Sequence, residues 1–271
     1  MDQIQETVRR HYAETAIKIR DRGSCCDPGC CGGSDAISGP IGEAEYASSD
    51  VSGVGLSLGA SLGCGNPTAL AQLHPGDIVL DLGSGAGLDV LLSARRVSPG
   101  GHAYGLDMTD EMLALANENK TRASVENATF LKGTIEAIPL PAGSVDVVIS
   151  NCVINLAADK AAVLREAYRV LKPGGRLAVS DMVEVETLPP DVKSALDAWA
   201  GCVAGTIPVD VYRAALASAG FKNIDIEITN TFEPGQAGLP DGGGKIASAQ
   251  IRAEKSTKEV AADVPGMSVR S

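Results

Sequence analysis

The sequence predicts a doubly wound α/β fold, in which helices cover both faces of a mostly parallel β-sheet. Short apolar strand patterns alternate with helical patterns from residue 78 to residue 182, and such alternation is typical of βαβ units. Hydrophobic residues make up 44% of the chain but aromatic residues only 3%. The core must therefore consist of Ala, Val, Leu and Ile, which suit helices packed on a parallel sheet.

The segment at residues 78–87, I-V-L-D-L-G-S-G-A-G, organises this pattern. A strand over residues 78–81 ends in Asp81, and a turn with glycines at positions 83, 85 and 87 leads into a helical pattern. Backbone N–H groups at such a helix start can hold a nucleotide-like group, and glycine lets the ligand approach closely. The spacing does not complete the dinucleotide fingerprint G-x-G-x-x-G, because position 88 is leucine. A lone glycine turn also occurs as a purely structural βα connection.

Further strands and helices follow in alternation. Strands are predicted over residues 102–107, 128–132, 145–151 and 176–182, and helices over residues 110–123 and 159–171. Asp110 places a favourable negative charge near its helix start, and K-P-G-G at residues 172–175 stops the later helix. Beyond the two prolines at residues 189–190, the pattern predicts helices over residues 191–204 and 208–219 and strands over residues 223–230 and 245–253. The last strand is expected to be antiparallel to its neighbour.

The chain is expected to have three regions. Residues 1–67 form an N-terminal extension, residues 68–255 form the α/β domain, and residues 256–271 form a flexible tail. The extension begins with an amphipathic helix over residues 1–22 that is expected to dock on the rest of the protein, and its apolar face carries Ile4, Val8, Tyr12 and Ile19. A Gly- and Ser-rich loop follows, which we expect to be mobile, and it carries Cys25, Cys26, Cys30 and Cys31.

Charge and cysteine content narrow the classes of function. The net charge of -11 argues against nucleic acid or an anionic membrane surface as a partner. No apolar run reaches the roughly 18 residues of a membrane span, and the N-terminus lacks an apolar signal core, so a cytoplasmic location is expected. Seven cysteines in a reducing compartment favour metal binding or thiol chemistry over permanent disulfides.

Strand ends carry the candidate cofactor-binding residues, because ligands of open parallel sheets lie beyond the carboxyl ends of the strands. Asp107 follows the glycine turn by roughly twenty residues, where an acid can accept hydrogen bonds from both hydroxyls of a ribose. An acid there also suits NAD, so it does not choose the cofactor. Ile135 and Glu136 are placed to flank an adenine. The full candidate set is Asp81, Gly83, Ser84, Gly85, Gly87, Asp107, Met108, Ile135, Glu136 and Asn151.

Five motifs together resemble the arsenite S-adenosylmethionine methyltransferase family. They are N-C-V-I-N-L at residues 151–156, L-G-C-G-N-P around Cys64, D-L-G-S-G-A-G at residues 81–87, G-L-D-M-T at residues 105–109 and W-A-G-C-V-A-G around Cys202. The resemblance runs in order from about residue 46 to about residue 228. The glycine motif and K-P-G-G are shared by many methyltransferases, whereas N-C-V-I-N-L and the three separated cysteines are far more specific.

This resemblance implies a seven-stranded class I methyltransferase sheet with a cysteine-rich N-terminal extension, S-adenosyl-L-methionine as methyl donor and a role in arsenic detoxification. Cys152 and Cys202 match the arsenic-binding cysteines of the family, and Cys64 matches a third cysteine of its thiol machinery. A fourth family cysteine corresponds to Cys25 or Cys26. The implied substrates are arsenite and methylarsenite, with a thiol reductant such as glutathione or thioredoxin as co-substrate. Some members have a longer C-terminal domain, whereas this chain ends soon after the expected last strand.

The chemistry of arsenic explains why thiols are needed. Trivalent arsenic is soft, so thiolates are its natural ligands, and three sulfurs leave its lone pair free to attack a sulfonium methyl group. Transfer is expected to be an in-line displacement in a dry site, with positioning as the main contribution of the protein. No general base is required, so His11, His74 and His102 are interpreted as structural or surface residues.

Other interpretations of the same residues remain open. Isolated cysteines are often small buried hydrophobic residues. The N-terminal cysteines, spaced C-C-x-x-x-C-C without an adjacent histidine, are a poor match to C-x-x-C zinc sites. One alternative function is methyl transfer to a small organic acceptor such as a quinone precursor. Another is a non-catalytic, thiol-rich protein that sequesters arsenic or a metal.

Overall fold

The computed structural model describes residues 3–22, 65–194, 203–236, 239 and 244–257. Within them the strands are β1 (Ile78–Leu82), β2 (His102–Asp107), β3 (Ala128–Lys132), β4 (Val145–Asn151), β5 (Leu171–Glu186), β6 (Lys222–Phe232) and β7 (Lys245–Glu254). They form one seven-stranded sheet in the order β3-β2-β1-β4-β5-β7-β6. Pairing from β3 through β5 is parallel, and β7 runs antiparallel to both β5 and β6. The predicted seven-stranded, mostly parallel sheet is confirmed.

Helices accompany the strands as the sequence predicts. They are α1 (Gln3–Arg22), α2 (Pro67–Leu70), α3 (Leu88–Arg96), α4 (Asp110–Arg122), α5 (Lys160–Val170), α6 (Pro190–Ser194) and α7 (Val209–Ala219). A 3₁₀ turn, Ile154–Leu156, separates β4 from α5. Asp159 caps α5 by accepting a hydrogen bond from the backbone nitrogen of Ala162 at 2.9 Å, which satisfies one donor of the first helical turn. None of the helices in this part of the chain is both long and apolar enough to cross a membrane.

The core lies in two layers, one on each face of the sheet. Alternate residues of β1 face opposite layers, with Leu80 and Leu82 in one layer and Val79 in the other. The first layer contains buried residues of α5 and α7, and the second contains those of α3. Val, Leu, Ile and Ala dominate both layers, as the composition predicts. The helices therefore cover both faces, which defines the doubly wound arrangement.

Strand β5 is longer than the sequence predicts. The prediction of residues 176–182 treated K-P-G-G as a helix stop, but β5 runs over Leu171–Glu186. Leu171 pairs with Val145, and the register then shifts so that Val147 faces Arg176. The glycine pair is thus an irregularity inside the strand, with Gly174 at φ +79°. At its far end β5 continues because β7 pairs with it as far as Glu186.

Helix α1 lies against α4 and the 3₁₀ turn. Val8, Ala13 and Ala16 are buried on its inner face, which confirms the predicted amphipathic helix. The helix predicted over residues 191–204 begins one residue earlier, as α6, at Pro190. Its predicted end is wrong, because residues 203 and 204 form a bend and a turn. Of the tail predicted over residues 256–271, residues 258–271 lie outside the described residues. The same holds for six of the seven cysteines (Cys25, Cys26, Cys30, Cys31, Cys64 and Cys202).

Candidate active site

A pocket lies beyond the carboxyl ends of β1, β2 and β4. Because Leu82 of β1 pairs with both Leu106 of β2 and Ser150 of β4, the next residues of these strands, Asp107 and Asn151, flank the glycine turn. The sheet order reverses between β1 and β4, and ligands of open α/β sheets bind at such a switch point. Helix α1 covers the pocket from outside, with Gln5, Val8, Tyr12 and Ile19 among its lining residues.

Asp107 is fixed on the pocket wall by three hydrogen bonds. The backbone nitrogen and the hydroxyl of Thr109 donate to its Oδ1 at 2.9 Å and 2.6 Å, and the backbone nitrogen of Gly85 donates to its Oδ2 at 2.9 Å. Burial raises the pKa of Asp107, while the hydrogen bonds from Thr109 and Gly85 oppose that rise. The side chain is therefore oriented before any ligand arrives.

The three glycines of the turn have different reasons to be glycine. At Gly83 (φ +70°) a Cβ atom would overlap the side chain of Val153, and at Gly87 (φ +87°) it would lie 2.6 Å from Cζ of Phe130. At Gly85 the nearest atom to such a Cβ is Sδ of Met112, 4.0 Å away. Gly83 and Gly85 line the pocket together with Ser84, whereas Gly87 is not among the lining residues. Gly87 is instead required for the packing of α3 against Phe130.

Two buried carboxylates lie at the base of the pocket. Asp81 is 3% exposed and Asp89, on α3, is 8% exposed, and both line the pocket. Burial raises the pKa of Asp81 well above its usual value, and the negative charges of Asp89 and Asp107 raise it further. Bringing a positive charge into this pocket relieves that repulsion. Asp89 was not predicted as a pocket residue, although an acid within the apolar run at residues 88–92 is unusual enough to have indicated it.

The pocket lining also includes the residues predicted to flank an adenine. Ile135 and Glu136, from the loop after β3, line it together with Met108 and Met112. Apolar and sulfur-containing side chains of this kind suit the faces of an aromatic ring. The pocket lining thus combines apolar side chains, the oriented carboxylate of Asp107 and the two buried carboxylates of Asp81 and Asp89. These features fit a nucleoside that carries a positive charge, as S-adenosylmethionine does.

Cys152 lies in the chain between two residues that line this pocket, Asn151 and Val153. Its backbone has φ +58°, a left-handed conformation that few residues other than glycine adopt and that often marks functional sites. The backbone nitrogen of Cys152 donates to the carbonyl of Ser180 at 2.8 Å, which holds the turn against β5. The side chain is 4% exposed and is disulfide-bonded.

Asn151 makes a reciprocal contact with the segment that follows Cys64. Its Nδ2 donates to the carbonyl of Gly65 at 2.8 Å, and the backbone nitrogen of Gly65 donates to its Oδ1 at 3.2 Å. Nδ2 also donates to Oδ2 of Asp89 at 3.3 Å. The structure therefore places the chain immediately after Cys64 beside the residue immediately before Cys152.

Known proteins resemble this chain in sequence. Residues 73–254 match the family model described as a methyltransferase domain. An arsenite methyltransferase of Halobacterium salinarum is 42% identical over 95% of this chain and 68% of its own length. An arsenite methyltransferase of Aquipseudomonas alcaligenes is 42% identical over 54% of this chain and 43% of its own length, so the chain spans less than half of that relative.

A solved structure extends the similarity to three dimensions. The arsenic (III) S-adenosylmethionine methyltransferase of Chlamydomonas reinhardtii superposes with a TM-score of 0.67 at 32% identity, covering 80% of this chain and 73% of that one. The matched family model, the Halobacterium relative and this structure all indicate the same family. The chain belongs to the arsenite methyltransferase family of S-adenosylmethionine-dependent enzymes.

Proposed function

We propose that this protein transfers a methyl group from S-adenosylmethionine to trivalent arsenic held by its own thiols, in arsenic detoxification. The observation that carries the proposal is the place of Cys152, which sits in a left-handed turn between two residues that line the cofactor pocket. A cysteine that only filled the core would not require such a turn at the end of β4. The alternative of an organic acceptor leaves this placement unexplained.

Different residues of the pocket bind different parts of the methyl donor. When bound, S-adenosylmethionine supplies an electrophilic methyl group on a sulfonium centre. Asp107 accepts hydrogen bonds from the ribose hydroxyls, and Gly83, Ser84 and Gly85 let the backbone approach. Met108, Ile135 and Glu136 flank the adenine, while Asp81 and Asp89 favour the positively charged end through their negative charge.

Arsenic binds on the thiol side of the pocket. We assign Cys152 and Cys202 as its ligands and Cys64 as the third sulfur. Cys152 lies in a cluster of apolar residues that includes Val8, Leu156 and Met182. These residues exclude water from the site of transfer. The arsenic lone pair carries no proton, so the transfer needs no general base. No histidine is among the described residues that line the pocket.

Thiols must be reduced before arsenic can bind to them. A disulfide at Cys152 therefore has to be opened by thiol–disulfide exchange, in which an external thiolate attacks one of its sulfurs. We propose glutathione or thioredoxin as the reductant, arsenite and methylarsenite as substrates and the cytoplasm as the compartment. Cys25 or Cys26 is proposed to deliver arsenic to the three fixed thiols.

One incubation separates the candidate functions. Purified protein is mixed with arsenite, reduced glutathione and S-adenosylmethionine labelled on its methyl group. Labelled methylarsenicals are the expected product. Label found only in an added quinone precursor would favour an organic acceptor, and arsenic that is bound but never methylated would favour sequestration. Either of these results would overturn the proposal.

A further inference from the structure

Lys160 is the first residue of α5, and its side chain reaches back to the residues that precede the helix. Its Nζ donates to the carbonyls of Asn155 and Ala157 at 3.2 Å and 3.1 Å. Asn155 lies in the 3₁₀ turn after β4, and Ala157 caps the end of that turn. Lys160 therefore attaches the 3₁₀ turn to α5.

The helix itself gains nothing from a lysine at this position. A helix N-terminus carries a partial positive charge, which repels an ammonium group. Burial lowers the pKa of Lys160, so its surroundings disfavour the charged form; the negative charge of Asp181 opposes this effect and the positive charge of Lys193 adds to it. The stability of α5 thus does not explain the presence of Lys160, and its contact with the turn does.

The segment that Lys160 holds belongs to the active site. Val153, Leu156 and Ala157 line the cofactor pocket. Leu156 also belongs to the apolar cluster that contains Cys152. The chain that begins at Cys152 therefore contacts both the cofactor pocket and the surroundings of the thiol, so a shift of this turn changes the two together.

Asn155 attaches the same turn to the sheet. Its side chain is buried, and its Nδ2 donates to the carbonyl of Met182 in β5 at 2.6 Å. Within the turn, the backbone nitrogen of Ala157 donates to the carbonyl of Ile154 at 3.1 Å. The turn is thus attached to β5 through Asn155 and to α5 through Lys160.

We propose that Lys160 is a positioning residue for methyl transfer, which holds the turn after Cys152 so that the methyl donor and the thiol keep their reactive orientation. It acts through the turn, since it is not among the residues that line the pocket. The inference rests on the proposed function for the identity of the acceptor, whereas the attachment of the turn to α5 is independent of it. Loss of the ammonium group should loosen the turn and slow the transfer.

Lys255 offers a matched comparison at the other end of α5. Its Nζ donates to the carbonyls of Tyr168 and Leu171 at 2.8 Å and 2.7 Å, where the helix dipole favours a positive charge. Lys160→Met and Lys255→Met each remove two hydrogen bonds from an ammonium group to carbonyls and keep an unbranched side chain. Lys255→Met should lower the free energy of unfolding more, and Lys160→Met should lower activity more.

Hydrogen exchange measures the turn without arsenic. The full-length parent and both variants are placed in heavy water, and mass spectrometry follows a peptide that contains residues 153–157. Lys160→Met should speed exchange of the turn amides at least about tenfold, the scale of a lost hydrogen bond to a charged group. Lys255→Met should exchange there at the parent rate. Parent-like exchange in Lys160→Met would overturn the proposal.

Urea unfolding of the same three proteins separates positioning from general stability. Lys160→Met should lose less free energy of unfolding than Lys255→Met, because it also relieves the repulsion from the helix N-terminus. A larger loss in Lys160→Met, with faster exchange along the whole chain, would make Lys160 an ordinary stabilising residue and overturn the proposal.

Single-turnover methyl transfer to arsenite at saturating S-adenosylmethionine tests the consequence for the reaction. Lys160→Met should transfer at least about tenfold more slowly than the parent, and Lys255→Met at the parent rate. A loosened turn with parent-like transfer in Lys160→Met would overturn the proposal. If the parent itself never methylates arsenite, the proposed function fails, and hydrogen exchange alone then decides whether Lys160 holds the turn.

Discussion

Thr109 donates twice to Asp107, from its backbone nitrogen at 2.9 Å and from its hydroxyl at 2.6 Å. Both bonds end on Oδ1, and the backbone nitrogen of Gly85 donates to Oδ2. The carboxylate is thereby locked in one orientation at the end of β2. An acceptor that is already oriented loses little conformational freedom when a ligand binds, which strengthens each new hydrogen bond.

Asp107→Ala should weaken the binding of S-adenosylmethionine by about 1.5–3 kcal/mol, because it removes charged acceptors from a buried wall. Thr109→Val should have a smaller effect, since the backbone nitrogen of residue 109 still orients Asp107. Titration calorimetry provides both values. Asp110→Ala serves as the control, as that side chain is 72% exposed and pairs only with Lys132 at the surface. Parent-like affinity in Asp107→Ala would contradict the ribose assignment.

Cys152→Ser should abolish methyl transfer to arsenite while leaving cofactor affinity nearly unchanged. Serine is similar in size to cysteine, and the backbone nitrogen of residue 152 still donates to the carbonyl of Ser180. The serine oxygen, however, is a hard ligand that binds trivalent arsenic poorly. Single-turnover assays with labelled methyl donor and calorimetry with the cofactor test the two halves separately. Full activity in this variant would remove Cys152 from the arsenic site.

Helix α1 is expected to retain the cofactor, because Val8 is 2% exposed and lines the pocket. Val8→Asp places a charge in the apolar cluster around Cys152 and should release the helix, which raises the dissociation constant of S-adenosylmethionine at least about tenfold. Ile17→Asp on the same helix is the matched control, since Ile17 is 51% exposed. Equal effects of the two substitutions would show that α1 does not cover the site.

The elements that sequence predicted best are those that obey local rules. Asp81 and Asp107 were placed correctly at the pocket because parallel strands bring their carboxyl ends to one edge. The contact of Asn151 with Gly65 and Asp89 was not predicted, because it joins residues 86 and 62 positions apart. No local pattern encodes such a contact. For the same reason the sequence predicted that α1 docks but not that it covers the pocket.

The N-terminal cysteines yield a prediction from sequence alone. Two similar pairs imply redundancy, so Cys25→Ser or Cys26→Ser alone should change little. Replacing Cys25, Cys26, Cys30 and Cys31 together should slow turnover of arsenite but spare methylation of methylarsenite, if the latter needs only Cys152 and Cys202. Parallel rate measurements on the two substrates test this. Parent-like turnover of arsenite would exclude the delivery role.

A buried acid outside the pocket makes stability depend on pH. Asp181 is fully buried and accepts from the hydroxyl of Tyr212 at 3.3 Å and from the backbone nitrogen of Met182 at 3.0 Å. Burial raises the pKa of Asp181 from 3.8 to about 7, although the hydrogen bond from Met182 and the positive charge of Lys160 oppose the shift. Burial also lowers the pKa of Lys160 and raises that of Tyr212. The site therefore favours the neutral carboxylic acid.

Asp181→Asn should make the stability of the protein less sensitive to a rise in pH between pH 3.8 and about 7. Between pH 3.8 and about 7 the folded protein keeps a proton that the unfolded chain has lost, so the free energy of unfolding falls as pH rises through this window. Within this window the free energy of unfolding falls by at most about 1.4 kcal/mol for each pH unit. Above the window it falls no further on account of Asp181. Urea unfolding of both proteins at pH 5, 6, 7 and 8 measures the difference, which should grow in favour of the variant up to about pH 7. Asp110→Asn, at a surface ion pair with Lys132, should follow the parent throughout. Parallel stability curves for the parent and Asp181→Asn would show that Asp181 is already ionised across this range.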